Sequence, residues 1–167
     1  MIPTMARYAN FGTVRSKGVE LDIKGDAAPI LYLYANATFQ DLRDHREHEN
    51  GSEAANPTYN KRMPNIPYIL ANGGLEFHKA NLFGGENQNS RFLVDASYIH
   101  EYFYDFEMSK YQDRKIPSSF TIDAGLEHSF KDDSFILSFK VKNLTDKIVY
   151  SELNRPLPGR NFSFKIR

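Results

Sequence analysis

Along most of this chain every second residue is apolar, and the alternating runs are long. In residues 11–24, Val19, Leu21 and Ile23 alternate with Glu20, Asp22 and Lys24. In residues 29–42, Leu31, Leu33, Ala35, Ala37 and Phe39 stand against Tyr32, Tyr34, Asn36, Thr38 and Gln40. Residues 67–78 place Ile69, Ala71, Gly73, Leu75 and Phe77 opposite Asn72, Glu76 and His78. Residues 91–104 alternate Phe92, Val94, Ala96 and Tyr98 with Arg91, Asp95 and Ser97, and end on Tyr102, Phe103 and Tyr104. The pattern returns in residues 117–130 (Phe120, Ile122, Ala124 and Leu126 against Thr121, Asp123 and Glu127), 135–143 (Phe135, Leu137, Phe139 and Val141) and 161–167 (Phe162, Phe164 and Ile166). A period of two is that of a strand with one apolar face. Seven strands and no helix are predicted.

Strand length and loop length sharpen this. Strands of soluble domains usually run to about five or six residues, whereas most of these runs reach ten or more. The connections alternate as well. Gly25–Ala28 and Lys131–Ser134 are short, while residues 43–64, 105–116 and 144–158 are long and polar. Short turns on one side and long loops on the other are the arrangement of an outer-membrane barrel, with the long loops outside. The connection 79–90 is longer than an inner turn should be, and strand parity puts it on the inner side. A single-chain barrel normally has an even strand number with both termini inside. Seven strands imply a fragment, or a start at an internal Met, with residues 1–10 as the remnant of an outer loop and 11–167 as barrel strands.

Composition removes several classes. With 21 basic and 21 acidic side chains and no long cationic block, the chain lacks the footprint of a phosphate-backbone binder, and nucleic acid is not expected as a partner. The chain has no Cys, which excludes disulfides, thiolate catalysis and Cys-based zinc sites. No run of about 18 apolar residues exists, so a membrane helix is ruled out on length. The mean hydropathy of −0.55 still suits a membrane barrel, whose strands average out as hydrophilic. His78, His100 and His128 are scattered, with no nucleophile pattern or phosphate-cradling glycine loop nearby. No enzyme and no cofactor are expected.

Specific residues then carry a resemblance. Asn10-Phe11-Gly12 with Ser16-Lys17-Gly18-Val19-Glu20-Leu21, Arg62-Met63-Pro64-Asn65-Ile66-Pro67, Val141-Lys142-Asn143-Leu144-Thr145-Asp146 and Pro156-Leu157-Pro158-Gly159-Arg160, in that order, are similar to strand starts and late-strand signatures of TonB-dependent outer-membrane receptors. The resemblance implies an all-β fold: an antiparallel transmembrane barrel segment of about seven strands, from the C-terminal part of a 22-stranded barrel closed around a plug. It further implies a bacterial outer-membrane location and a receptor importing a siderophore, haem, a metal chelate or cobalamin. The implied partners are outer-membrane lipid, the remaining strands and plug, and the TonB complex reached through that plug. One departure is the ending Phe164-Lys165-Ile166-Arg167, where family members usually finish on an aromatic residue. Two rival readings are a small self-contained barrel serving as adhesin or structural protein, and a soluble β-domain binding apolar ligands inside.

Rigid scaffolds usually carry specificity on loops. The candidate ligand-binding residues are therefore His45, His48, Tyr59 and Tyr111, which combine imidazole donors with aromatic surface. His45 and His48 stand three apart with Glu47 between them, a spacing compatible with metal ligation. In a loop rich in Asp, Glu and Asn the ordinary reading is a solvated charge cluster, and no metal site is assigned. Tyr102, Phe103 and Tyr104 read as part of an aromatic girdle. Leu21, Leu33, Phe77, Val94, Ile122 and Phe139 are expected to face lipid, and Asp22, Asn36, Glu76, Asp95, Asp123 and Lys140 the lumen.

Overall fold

The computed structural model describes residues 12–49, 51–106 and 115–167. Expectations for residues 1–10, and for Tyr111, lie outside the described residues. Among the described residues eleven strands follow one another: β1 (Val14–Ala28), β2 (Leu31–Asp44), β3 (Ile69–Ala80), β4 (Asn89–Ile99), β5 (Tyr102–Phe103), β6 (Lys115–Ile116), β7 (Ser119–Phe130), β8 (Phe135–Lys142), β9 (Tyr150–Glu152), β10 (Arg155–Pro156) and β11 (Asn161–Ile166). The seven expected strands make one antiparallel sheet in the order β1-β2-β3-β4-β7-β8-β11. β1 and β11 do not pair with each other, so the sheet is open. The four short strands form two small ribbons, β5 with β6 and β9 with β10.

The register carries the alternation from strand to strand without a slip of face. One continuous row runs Ile23↔Ala35, Ala35↔Gly73, Gly73↔Ala96 and Ala96↔Ile122. Another runs Leu31↔Phe77, Phe77↔Phe92, Phe92↔Leu126, Leu126↔Phe139 and Phe139↔Phe164. Directly opposed residues share a face, so the six residues expected to face lipid lie on one face and the six expected to face the lumen on the other. The hairpin ends are staggered. Followed across the sheet from the Leu31 row, β3 and β4 extend three residues further, to Ala80↔Asn89, and β7 and β8 one more, to Phe130↔Phe135. Such stagger accompanies strand tilt in barrels.

What the sheet lacks is a core. Buried apolar side chains among the described residues are Tyr102, Ile116, Ile136, Val141 and Val149, and three of these belong to the loops or their ribbons. On the apolar face Leu21 is 54% exposed, Phe120 50% and Phe164 64%. A soluble domain of this size removes about two-thirds of its surface from water, which this chain does not do. Neither the self-contained barrel nor the soluble apolar-pocket domain fits an open sheet with its apolar face uncovered.

Several boundaries move. The first turn is not at Gly25–Ala28: Gly25, Asp26 and Ala28 still pair with Leu33, Tyr32 and Leu31, across a bulge. The chain reverses at Pro29-Ile30, because proline has no amide to give the ladder and a fixed φ suited to a turn. The turn at Lys131–Ser134 stands, with Lys131, Asp132 and Asp133 all at positive φ. The long connection 81–88 closes through Asn81 N–H on Gln88 O at 2.8 Å, and Asp132 N–H reaches Asn87 O at 3.1 Å. It therefore lies at the same edge as the two short turns, as parity requires. At the other edge β2 runs on to Asp44 and β4 stops at Ile99, so the loop expected from residue 43 begins at 45.

Candidate functional site

The described parts of the three long connections, 45–68, 100–118 and 143–160, meet at one rim of the sheet, where Asn65 N–H donates to Phe103 O at 2.8 Å and the Tyr102 hydroxyl to Ser151 O at 3.2 Å. The first is built around a carboxylate. Asp44, the last residue of β2, is fully buried. It accepts the Arg46 backbone N–H at 3.0 Å, Arg46 Nε at 2.9 Å and Nη2 at 2.7 Å, Asn56 Nδ2 at 2.9 Å and Thr58 Oγ1 at 2.6 Å. Asn60 N–H donates to its carbonyl at 2.7 Å. A spanning strand needs only about nine to eleven residues, so Asp44, fourteenth in its strand, stands beyond the spanning part. Hydrogen bonds from Arg46, then from Thr58 and Asn56, hold its carboxyl well below the usual carboxylate range against the opposing effect of burial. A charge buried this deeply is tolerated only when paired and fully hydrogen-bonded.

The candidate residues sit on this frame unequally. His45 N–H donates to Thr13 O at 2.9 Å, and its ring meets Tyr59 edge-on with centroids 5.6 Å apart. Tyr59 is 42% exposed, which leaves an accessible imidazole–phenol pair. His48 lies elsewhere in the loop, bridged to Ala55, with Nδ1 3.2 Å from Glu53 O. The structure therefore joins His45 to Tyr59 and leaves His48 apart. No group of three or more metal-ligating side chains gathers among the described residues.

The sequence signatures turn out to hold loops in place. In 62–67, Arg62 donates from Nε to Asp41 Oδ1 at 3.0 Å and lies over the Tyr68 ring at 4.0 Å. Met63 N–H reaches Leu42 O at 2.9 Å, and Gln40 Nε2 reaches Pro67 O at 2.8 Å. The signature 141–146, through Asn143 and Asp146, and the signature 156–160, through its Pro-Gly-Arg, are partners. Asn143 N–H donates to Asp123 Oδ1 at 2.8 Å, its side chain clasps Lys147 N and O, and Asp146 Oδ1 accepts Arg160 N–H at 2.8 Å. A Cβ at Gly159 would stand 2.8 Å from that Asp146 oxygen, which explains the glycine.

Tyr102 departs from the girdle expectation. It is buried against the loops, pairs with Ile116 across the β5–β6 ribbon and donates to Ser151 O at 3.2 Å. Beside it Lys115 Nζ lies 2.7 Å from Glu101, and that contact lowers the Glu101 pKa. Sequence reasoning missed Asp44, Asn56 and Thr58. One local signal existed: in Asn56-Pro57-Thr58 the asparagine oxygen accepts Thr58 N–H at 3.1 Å, the Asx-turn such a triplet favours.

On the polar face Tyr34, Gly74 and Asp95 are consecutive across three strands. The Tyr34 hydroxyl crosses the glycine to donate to Asp95 Oδ1 at 2.7 Å. Tyr34 and Asp95, with Asn36, Asn72, Ser97, Thr121 and Asp123, line a shallow polar concavity of about 260 Å³. No reactive arrangement appears among these groups.

A family model described as TonB dependent receptor-like, beta-barrel, matches residues 2–144. No curated protein matches the chain. Among the solved structures that share its fold are three receptors. The siderophore receptor PiuA from Acinetobacter baumannii has a TM-score of 0.68 at 15% identity, covering 92% of this chain and 21% of that one. BauA, the ferric preacinetobactin receptor of the same organism, has a TM-score of 0.67 at 16% identity over 92% of this chain and 22% of its own. FyuA, the ferric yersiniabactin uptake receptor of Yersinia pestis, has a TM-score of 0.63 at 16% identity over 91% of this chain and 22% of its own. This chain spans about a fifth of the length of the solved structures it matches.

Proposed function

Because this chain belongs to the TonB-dependent receptor β-barrel family, we propose that it forms wall and outer loops of a receptor that imports a scarce ligand across a bacterial outer membrane. The observation that carries the reading is the apolar face, unbroken across seven strands and left uncovered by any core. A sheet needs such a face when its solvent on that side is hydrocarbon. The opposite face, with Asp22, Asn36, Glu76, Asp95 and Asp123, then lines the lumen, where a plug is seated through which the TonB complex acts.

Long loops at one rim are the outer loops in this arrangement. Ligand contact falls to 45–68 and its neighbours, with His45 and Tyr59 as the first pair and His48 and Tyr111 as further contacts. Among siderophores, haem, metal chelates and cobalamin, the first ligand to try is a ferric siderophore, since one structural neighbour is named a siderophore receptor and the other two are named for ferric ligands.

In the intact receptor, replacing His45 and Tyr59 together by Ala should weaken ferric-siderophore binding about tenfold, roughly 1.4 kcal/mol, with heat-modifiable gel mobility unchanged. Unaltered affinity would move recognition to the plug or to other strands.

A further inference from the structure

Just above the apolar band, at the long-loop rim and on the same face, the register collects cations. Arg15 opposes Arg43, and Lys17 opposes Asp41, in the two face-sharing rows beyond Val19↔Phe39. Arg43 in turn faces Arg62 through an isolated bridge. Alternation puts all of these on the face that carries Val19 and Phe39.

Three arginines thus share one cross-strand row, where like charges directly opposed destabilise a sheet. One carboxylate lies among them. Asp41 Oδ2 accepts Arg43 Nε at 2.7 Å and its Oδ1 accepts Arg62 Nε at 3.0 Å, so a single negative charge is divided between two guanidiniums. Arg15 and Lys17 make no ion pair among the described residues. The row keeps an excess of positive charge, and Arg62 is held flat on Tyr68, so part of it is already ordered.

Height in the membrane decides what anion belongs there. From Leu31 to Phe39 a strand tilted by about 40° climbs roughly 20 Å, most of the apolar band of a barrel. Residues 41 and 43 lie about 5–10 Å above that along the membrane normal, which is the depth of the headgroup layer. A guanidinium at that level presents paired donors matched to phosphate oxygens.

We infer that Arg15, Lys17, Arg43 and Arg62 form a docking site for the phosphorylated headgroup of a lipid in the outer leaflet. The surface continues the apolar band, so the acyl chains of the same lipid lie against Val19 and Phe39. This goes beyond ligand import, and it rests on the membrane-spanning reading of the sheet.

The test uses the intact receptor in neutral detergent, with bisphosphorylated lipid A and its dephosphorylated form titrated and counted by native mass spectrometry. The wild type should bind the phosphorylated form at least tenfold more tightly, and less so in high salt. Each cation removed should lower that binding about fivefold, the factor for one Lys or Arg near an anionic lipid surface. R15Q/K17Q and R43Q/R62Q should both show it, the first without disturbing Asp41, while R155Q on an outer loop should behave as wild type. Equal binding of both lipid forms, or undiminished binding in both double variants, overturns the inference. So does displacement of the phosphorylated lipid by inorganic phosphate at equal molar concentration, which would mark a soluble-anion site. A wild type without heat-modifiable mobility would count against the membrane barrel itself, and so is told apart from failure of the lipid site alone.

Discussion

Phe139 and Lys140 are neighbours in β8, yet they leave the sheet on opposite sides and answer to different rules. Phe139 lies in a row with Leu126 and Phe164 and stacks on Phe162, with ring centroids 6.3 Å apart. Lys140 stands between Gly125 and Ser163. The apolar face mixes Gly73, Ala96, Ile122 and Phe120 in no tight jigsaw, which suits the proposed membrane reading, since fluid hydrocarbon would fill whatever shape it met. The polar face is more exacting about geometry. Tyr34 reaches Asp95 only across a residue with no side chain, and Ser138 Oγ donates to Glu127 Oε2 at 2.9 Å. One face should therefore tolerate changes of shape and reject charge, and the other the reverse.

The sharpest way to break this contrast is Phe139→Arg in the intact receptor. At a position near the bilayer midplane it should cost about 2–4 kcal/mol in unfolding from lipid vesicles, while Lys140→Arg should cost little. Equal tolerance at the two positions would reject the assignment of faces.

Next in size is Asp44→Ala, which leaves Arg46, Asn56 and Thr58 without their acceptor. Removing one partner from a buried set of charged hydrogen bonds costs about 1–3 kcal/mol. The loss should appear as faster protease cleavage within 45–68 with barrel assembly intact. The same contacts give a pH dependence. The Asp44 pKa is depressed in the folded loop, so its stabilisation is fully present above the ordinary value near 3.9 and is lost as pH falls below it. Loop cleavage by an acid protease should rise in that range in the wild type and stay flat in Asp44→Ala.

On the polar face, Gly74→Ala would bring a Cβ to 2.6 Å from Tyr34 Cε1, 2.7 Å from Asp95 Oδ1 and 2.8 Å from Val94 O. Overpacking of this kind costs about 1–3 kcal/mol. Tyr34→Phe removes only the hydrogen bond, about 1 kcal/mol, and in Gly74→Ala it should restore little, since Val94 O is backbone. The apolar face should be the less sensitive to shape: Phe139→Leu should stay below about 1.5 kcal/mol, and a larger loss would mean that face is packed after all.

Strands, faces and the side of each connection were legible because period-two alternation is local: each side chain's direction follows from its neighbours along the chain. Turn chemistry was legible only in part. Gly25 and Asp26 attracted the first turn, but proline at 29 settled it, since a missing amide matters more to a ladder than a flexible residue does. The signatures at 62–67, 141–146 and 156–160 were visible as residues and opaque as interactions. Asp146 and Arg160 stand fourteen apart in sequence, and nothing in either segment names the other. Of the loop candidates, His45 and Tyr59 meet, but only because Asp44 folds the chain back between them.

The sequence by itself determined an all-β chain with one apolar and one polar face and long loops at a single edge, since these depend on periodicity and on the dislike of apolar groups for water. Tertiary structure decided which charges share a row. Arg15, Arg43 and Arg62 meet, and Asp44 collects its donors, through registers between segments far apart in the chain. Such pairings depend on where hairpins close and how strands stagger, and no local pattern of residues contains that information.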